Sequence, residues 1–181
     1  MGKIHWIGTG LSSVPGLRRL LNQTEDICVW NRSLDKAQSL VGDLTKNIRV
    51  FNLENLQKGL LESDIVVSML PGEWHVQIAK LCIEHSAHFV SSSYISEEME
   101  SLHGGALKKN LSLVNEVGLD PGIDHLMSHY LVHDYKNSVS YDPDNEIEFL
   151  SYCGGIPKLP NKFCYKFSWS PTGVLKALKS Q

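Results

Sequence analysis

The turn near the start of the chain constrains its fold most. A short apolar run leads into Gly8-Thr9-Gly10, and a helical pattern begins at Val14 with a proline in its first turn. Between a strand and a helix, the first glycine of such a pair allows a tight turn, and the second lets the backbone approach a pyrophosphate. Ser13 stands where a third glycine is usual and is small enough for close packing of helix and strand. The turn predicts dinucleotide binding; the alternative is the same turn without a ligand.

Apolar runs alternate with helical patterns through the first two thirds of the chain. We predict strands at 4–7, 26–30, 48–51, 64–70, 88–93 and 111–116, with helical or crossover segments between them. The run DIVVSML at 64–70 is continuously apolar, which is typical of a strand covered on both faces. The alternation predicts an α/β fold with a doubly wound parallel sheet of the Rossmann type.

The alternation ends at the segment GLDPGIDH, residues 118–125. Beyond it we predict a helix at about 124–134, two strand-like runs at 146–155 and 163–169, and a helix at 171–178. We therefore expect two domains: a nucleotide-binding domain at 1–123 and the incomplete start of an α+β substrate domain at 124–181.

Composition narrows the classes of partner. A net charge of −3 argues against nucleic acid, because phosphate neutralisation needs a clustered basic surface. No apolar run approaches the roughly 20 residues of a transmembrane helix, and no secretory signal is visible. The four cysteines are widely spaced and form no CxxC pair. We expect a reduced, cytoplasmic protein without membrane or nucleic-acid partners.

The end of the second strand indicates which coenzyme the turn would bind. An NAD enzyme usually carries an acid there, whereas this chain has Asn31, Arg32 and Ser33. A guanidinium can pair with the 2′-phosphate of NADP, which a carboxylate would repel, and the two neutral side chains can add hydrogen bonds. This pattern favours NADP over NAD; the alternative is an ordinary exposed arginine in a surface turn.

Ligands of open α/β sheets bind outside the carboxyl ends of the strands. In this chain those ends are Asn52, the turn Leu70-Pro71-Gly72, the polar run Ser91 to Tyr94, and residues 116–124. The serines and Tyr94 form a polar cluster where a nicotinamide and a substrate would meet. A solvated turn is an equally good reading of the same pattern.

Two long motifs carry a resemblance to a known family. At NEVGLDPGIDH (115–125) and SYCGGIPKLPNKFCYKFSWSPTGVL (151–175) the chain closely resembles the saccharopine dehydrogenase (saccharopine reductase) family. The combination is similar to the NADP-dependent, L-glutamate-forming branch. The segments GTGLSSVP, WNRSLDKAQ, SMLP and SSSYIS fit the same branch, so the resemblance covers essentially the whole chain.

The resemblance implies a reversible reductive condensation in lysine metabolism. 2-Aminoadipate 6-semialdehyde would condense with the amino group of glutamate, and NADPH would reduce the imine to saccharopine. Two alternatives stay open: a relative that uses another amine, such as carboxynorspermidine or lysine dehydrogenase, and a non-catalytic NADP-binding protein. The family also suggests a homodimer.

The resemblance and the strand ends together assign candidate site residues. The candidate contacts to NADP(H) are Gly8, Thr9, Gly10, Leu11, Ser12, Asn31, Arg32, Ser33, Asn52, Leu70, Pro71, Ser92 and Ser93. The candidate substrate contacts are Ser93, Tyr94, Asp120 and Cys153. Asp120 and Tyr94 lead as the general acid or base, with His125 as a further candidate. The segment FSW at 167–169 is another candidate cofactor contact.

Saccharopine carries three carboxylates, which call for arginine or lysine side chains. No arginine follows Arg49, so we expect the carboxylate-binding residues outside this chain and the polypeptide to be truncated. His125, His129 and His133 share one face of the predicted helix. Because i to i+8 spans about 12 Å, they are too far apart to bind one ion together, and we predict no metal site.

Overall fold

The computed structural model describes residues 2–24, 26–167 and Leu175. Strands and helices alternate along the first two thirds of the chain. In chain order they are β1 (Ile4–Ile7), α1 (Val14–Leu21), β2 (Ile27–Asn31), α2 (Leu34–Val41), β3 (Ile48–Val50), α3 (Leu53–Gly59), β4 (Ile65–Ser68), a 3₁₀ turn (Gly72–Trp74), α4 (His75–Glu84), β5 (His88–Ser91), α5 (Glu97–Glu100), α6 (His103–Lys108), β6 (Leu113–Val114) and α7 (Ile123–Lys136).

The six strands form one parallel sheet in the order β3-β2-β1-β4-β5-β6. The chain runs outward from β1 to one edge and then returns to build the other half from β4. This order is that of a dinucleotide-binding sheet, and its switch point lies between β1 and β4. The predicted α/β fold class is confirmed. The glycine turn follows β1 and so lies at the switch point.

Helices pack on both faces of the sheet and bury its apolar side chains. Ile27 and Val29 of β2 face Leu17 of α1 and Val41 of α2 in one cluster. Cys28 and Trp30 of the same strand point the other way, into a second cluster with Ile7, Val66, Ile78 and Phe89. Because successive strand side chains alternate between faces, a continuously apolar strand requires cover on both sides. The sheet is therefore the centre of a three-layer unit.

Three helices that follow strands begin at a residue whose side chain accepts a backbone hydrogen bond. Ser33 accepts from Lys36 N–H at the start of α2, and Asn52 accepts from Asn55 N–H at the start of α3. Ser96 begins α5 in the same way. Such capping satisfies N–H groups that have no partner inside the helix. It fixes where each loop at the carboxyl edge of the sheet ends.

The chain divides into two compact units, Met1–Met127 and Ser128–Gln181. The expected boundary after residue 123 stays a prediction. In the second unit the structure differs from the prediction of two strands at 146–155 and 163–169, because residues 146–167 contain none. The two runs meet through a backbone hydrogen bond from Lys166 N–H to Gly155 O. An isolated pair of runs without further partners does not make a stable ladder. The predicted helix at 171–178 lies, except for Leu175, outside the described residues.

Among the helices that the structure describes, none has the length and apolar character needed to cross a membrane.

Candidate functional site

The turn after β1 is built around Gly8. Its φ of +101° is a conformation that side chains strongly disfavour, and a Cβ at this position would lie 3.2 Å from the carbonyl oxygen of Met69. The buried Ser13 hydroxyl donates to the carbonyl oxygens of Gly8 at 3.3 Å and Gly10 at 3.1 Å. The serine thus closes the turn through its own hydrogen bonds, in the place where a third glycine would act by its small size.

The turn presents backbone N–H groups toward the start of α1. Within the described ranges, the N–H groups of Gly10, Leu11 and Ser12 have no acceptor, and Leu11 is 91% exposed. They stand at the positive end of the α1 dipole, where an anion is favoured. The Thr9 hydroxyl is buried and has no hydrogen-bond partner in the described part of the chain. Free donors and an unpaired buried hydroxyl fit a pyrophosphate.

The end of β2 holds the three residues predicted to bind the 2′-phosphate. Asn31 Nδ2 donates to the Ser33 carbonyl oxygen at 2.8 Å, which shapes the turn. Ser33 Oγ accepts from Lys36 N–H at 3.3 Å and can still donate its own proton. Arg32 is exposed, and no ion pair of it is found among the described residues. Its guanidinium is therefore available to an anion.

The turn after β4 lies between the glycine turn and the loop after β5. A Cβ on Gly8 would lie 3.5 Å from Leu70 Cδ2, and one on Gly72 would lie 4.0 Å from Ser93 Oγ. Leu70 and Pro71, predicted to flank the nicotinamide ribose, thus adjoin both neighbouring segments. The structure brings these predicted residues to the same edge of the sheet, as the parallel topology requires.

Tyr94 and Asp120 meet at that edge although 26 positions separate them. The Tyr94 hydroxyl donates to Asp120 Oδ1 at 2.6 Å, and the Tyr94 side chain is exposed. The hydrogen bond to Asp120, followed by burial and the charges of Asp120, Asp124 and Glu116, raises the pKa of Tyr94 to about 12. At neutral pH the Tyr94 phenol therefore keeps its proton, and the second side-chain oxygen of Asp120 can accept a further hydrogen bond.

Further polar contacts join the loops after β5 and β6. Ser91 Oγ donates to Asn115 Oδ1 at 3.0 Å, and Ile95 N–H donates to Glu116 Oε1 at 3.1 Å. A Cβ on Gly118 would lie 3.2 Å from Ser92 Cβ. These contacts hold the predicted residue Ser92 and the segment around Tyr94 against the residues that lead to Asp120.

His125 lies beside this pair of loops at the start of α7. Its Nδ1 is 3.8 Å from Glu116 Oε2, and its Nε2 is 3.8 Å from Asp124 Oδ2. The Asp124 Oδ1 accepts from Gly122 N–H at 2.6 Å. Searched over the described residues, no group of three or more His, Cys, Asp or Glu side chains could hold a metal ion.

The structure says less about three other predicted contacts, which are Asn52, Cys153 and the segment FSW. Asn52 uses its side-chain oxygen to cap α3, accepting from Asn55 N–H at 2.7 Å, which leaves its amide NH₂ for other contacts. Cys153 is exposed and belongs to the second unit. Of the segment FSW, only Phe167 lies within the described residues.

Glu116 is the site residue for which sequence reasoning assigned no role. The sequence places it only as the first residue of the segment 116–124, because a glutamate after a short strand gives no signal of the contacts it makes. Its φ of +60° and its bond to Ile95 become visible only in three dimensions.

Comparisons with known proteins agree with this geometry. Residues 4–114 match the family model described as saccharopine dehydrogenase NADP binding domain, and residues 118–181 match the saccharopine dehydrogenase C-terminal domain. Saccharopine dehydrogenase [NADP(+), L-glutamate-forming] of Schizosaccharomyces pombe is 33% identical over 99% of this chain, and that of Saccharomyces cerevisiae is 35% identical over 99%. The mitochondrial alpha-aminoadipic semialdehyde synthase of Rattus norvegicus is 38% identical over 96%.

The chain spans only part of these relatives. It covers 41% of each yeast protein and 19% of the rat protein. The solved structure of apo saccharopine dehydrogenase (L-Glu forming) from Saccharomyces cerevisiae has a TM-score of 0.72 at 28% identity, over 99% of this chain and 41% of that one. Homospermidine synthase from Legionella pneumophila in complex with NAD shares the fold alone, with a TM-score of 0.55 at 14% identity, over 75% of this chain and 34% of that one. By its two family domains and its similarity to the yeast proteins, the chain belongs to the saccharopine dehydrogenase family.

Proposed function

We propose that the protein is an NADP(H)-dependent oxidoreductase acting on a CH–NH bond, with saccharopine, glutamate and 2-aminoadipate 6-semialdehyde as its small-molecule substrates. The observation that carries this proposal is the Tyr94–Asp120 pair, held at the same edge of the sheet as the glycine turn. The names of the yeast relatives support the same reaction.

The coenzyme supplies a hydride to the imine carbon when it is bound. The N–H groups of residues 10–12 bind its pyrophosphate, and Arg32 binds the 2′-phosphate through a charge-assisted hydrogen bond. Leu70 and Pro71 border the nicotinamide side and help to exclude water, which would hydrolyse the imine.

Asp120 and Tyr94 act on the substrate amine. The second carboxylate oxygen of Asp120 accepts a hydrogen bond from the amino group and orients its nitrogen. The Tyr94 hydroxyl holds a proton that Asp120 keeps in place at neutral pH. With His125 next to Glu116, the site contains three groups able to move protons during imine formation.

The first experiment measures coenzyme binding and turnover separately. NADPH fluorescence titration of the 181-residue chain is expected to show binding. Oxidation of NADPH, followed at 340 nm with glutamate and the semialdehyde, tests the reaction, and saccharopine with NADP⁺ tests its reverse. Because no arginine follows Arg49 to bind the substrate carboxylates, we expect binding without turnover by this chain, and turnover by a chimera in which this chain replaces the segment it matches in the Saccharomyces cerevisiae relative.

Three results would contradict the proposal in whole or in part. A chain that fails to bind NADPH would refute the coenzyme assignment. NADPH bound by the chimera, without oxidation in the presence of both substrates, would favour the second candidate, a non-catalytic NADP-binding protein. Oxidation with a different amine would favour the carboxynorspermidine or lysine dehydrogenase alternative.

We also propose a cytoplasmic homodimer. The family resemblance suggests the dimer, and large apolar side chains exposed in the second unit, among them Tyr152, Ile156 and Leu159, support it. Sedimentation equilibrium tests the association state, and cell fractionation tests the compartment. A monomer at micromolar concentration would contradict the first part of this proposal.

A further inference from the structure

Glu116 makes hydrogen bonds to the chain on both sides of Tyr94. Its backbone N–H donates to the carbonyl oxygen of Ser93 at 3.1 Å, and its side-chain Oε1 accepts from the backbone N–H of Ile95 at 3.1 Å. One residue from the loop after β6 therefore makes hydrogen bonds to the residue before and the residue after the tyrosine. We call this pair of hydrogen bonds the Glu116 clasp.

The backbone of Glu116 adopts a conformation that is unfavourable for a residue with a side chain but is compatible with the clasp. Its φ of +60° lies in the left-handed region, which a non-glycine residue enters only when the surroundings impose it. The neighbouring bond from Val117 N–H to the Ser91 carbonyl oxygen, at 3.2 Å, holds the same two loops together. The left-handed residue directs the carboxylate back toward the loop after β5.

The second carboxylate oxygen of Glu116 faces His125. Oε2 lies 3.8 Å from His125 Nδ1, and the Glu116 side chain is 29% exposed. The carboxylate thus joins three segments: the loop around Tyr94, its own loop and the first turn of α7. The groups whose charges act on Tyr94 are Asp120, Asp124 and Glu116.

We propose that Glu116 is a positioning residue, which sets the Tyr94 backbone so that the phenol reaches Asp120. The clasp itself is a property of this chain, and its catalytic meaning rests on the proposed function. Glu116 touches neither substrate nor coenzyme in this assignment; it acts through Tyr94.

Two substitutions separate the clasp from the charge. Glu116→Gln removes the charge but keeps a side-chain oxygen of the same reach for Ile95 N–H. Glu116→Asn also removes the charge and tolerates the left-handed backbone, but its side chain is one methylene shorter. Both variants should fold, and the comparison between them isolates the hydrogen bond.

The first readout is hydrogen exchange at the Ile95 amide in the 181-residue chain. We expect exchange to be about 5- to 10-fold faster in Glu116→Asn than in Glu116→Gln, as the loss of one hydrogen bond implies. The second readout is the titration of Tyr94, assigned by comparison with Tyr94→Phe. Its pKa is expected to fall toward the ordinary value of about 10 further in the Asn variant than in the Gln variant. Equal values for the two variants in both readouts would overturn the proposal.

The same variants in the chimera with the Saccharomyces cerevisiae relative test the catalytic role of Glu116. We expect Glu116→Asn to lower kcat about 10-fold while KM for NADPH is unchanged, and Glu116→Gln to restore most of kcat. If the chimera without either substitution shows no turnover, the proposed function fails, yet the exchange and titration readouts still decide the clasp. If turnover is normal and the Asn variant keeps full kcat, positioning by Glu116 is refuted.

Discussion

Gly8 and Met69 approach so closely that a methyl group on the glycine would lie 3.2 Å from the Met69 carbonyl oxygen. The glycine turn and the segment after β4 are thus packed together at the switch point of the sheet.

Gly8→Ala is expected to lower both stability and coenzyme affinity. The φ of +101° imposes a strain of about 1–3 kcal/mol on a residue with a side chain, and the new methyl group presses on Met69. Urea denaturation and NADPH fluorescence measure the two losses.

Gly10→Ala is the matched control for this substitution. Among the described residues, a Cβ on Gly10 would meet only Ser13 Oγ, at 3.9 Å, which leaves room for it there. We expect unchanged stability with at least about 10-fold weaker NADPH binding, because the methyl group occupies the approach of the pyrophosphate. Unchanged affinity in Gly10→Ala would show that the phosphates bind elsewhere.

Arg32→Asp is expected to weaken NADPH binding far more than NADH binding. Loss of a charge-assisted hydrogen bond corresponds to about 10- to 100-fold in affinity, and the introduced carboxylate repels the 2′-phosphate. The exposed Arg19 in the last turn of α1 offers a control of equal charge change. If Arg19→Asp has the same effect, or if both coenzymes lose affinity equally, Arg32 does not bind the phosphate.

Thr9→Val separates the folding role of Thr9 from its role in binding. The hydroxyl is buried and lacks a partner in the described part of the chain, so its replacement by a methyl group is expected to raise the free energy of unfolding by about 1 kcal/mol. We expect weaker NADPH binding at the same time. Thermal unfolding with and without NADPH measures both effects; a destabilised ligand-free variant would show that the hydroxyl is already satisfied.

His5 lies in β1, at the end of the sheet away from the candidate site. We expect it to make the free energy of unfolding depend on pH. Its Nε2 lies 2.9 Å from Asp64 Oδ2, and its Nδ1 accepts from Trp30 Nε1 at 2.9 Å, so the buried imidazole is neutral. Burial lowers the pKa of His5 despite the hydrogen bond to Asp64. The unfolded chain therefore binds a proton below about pH 6.5 that the folded chain does not.

The stability that the neutral His5 contributes is present in full above about pH 6.5 and is lost as the pH falls below that value. One proton gives a slope of up to about 1.4 kcal/mol per pH unit. His75 is also buried with a lowered pKa and contributes in the same direction. His5→Gln, which can still donate to Asp64, should reduce the slope of unfolding free energy between pH 7 and 5. An unchanged slope would mean that the pKa of His5 is the same in the folded and unfolded chain.

The sheet could be predicted from the sequence because β2 and β4 carry apolar residues without interruption. The predicted ends were too long: the apolar run continues through Met69 and Leu70, while β4 ends at Ser68. Residues past the last ladder bond still need burial, so hydrophobicity does not mark where pairing stops. In 146–167, apolar composition predicted strands that the described residues do not form, because strand pairing depends on partners and not on composition alone.

The candidate site was predictable as a set of strand ends but not as a set of contacts. Parallel topology alone places Tyr94 and the segment of Asp120 at one edge. The 2.6 Å bond between them and the left-handed backbone at Glu116 are visible only in the structure, because no local preference of glutamate or tyrosine indicates either. The binding and catalytic roles of all the candidate site residues stay predictions.

The hydrogen bonds of Ser13 show how sequences with serine at the third position of the glycine motif can form the same turn. A motif scan that insists on three glycines passes over this chain, although hydrogen bonds from the Ser13 hydroxyl close the turn without a glycine at the third place. Scans that admit serine there, when the preceding strand and following helix are present, would recover nucleotide-binding domains that stricter patterns discard.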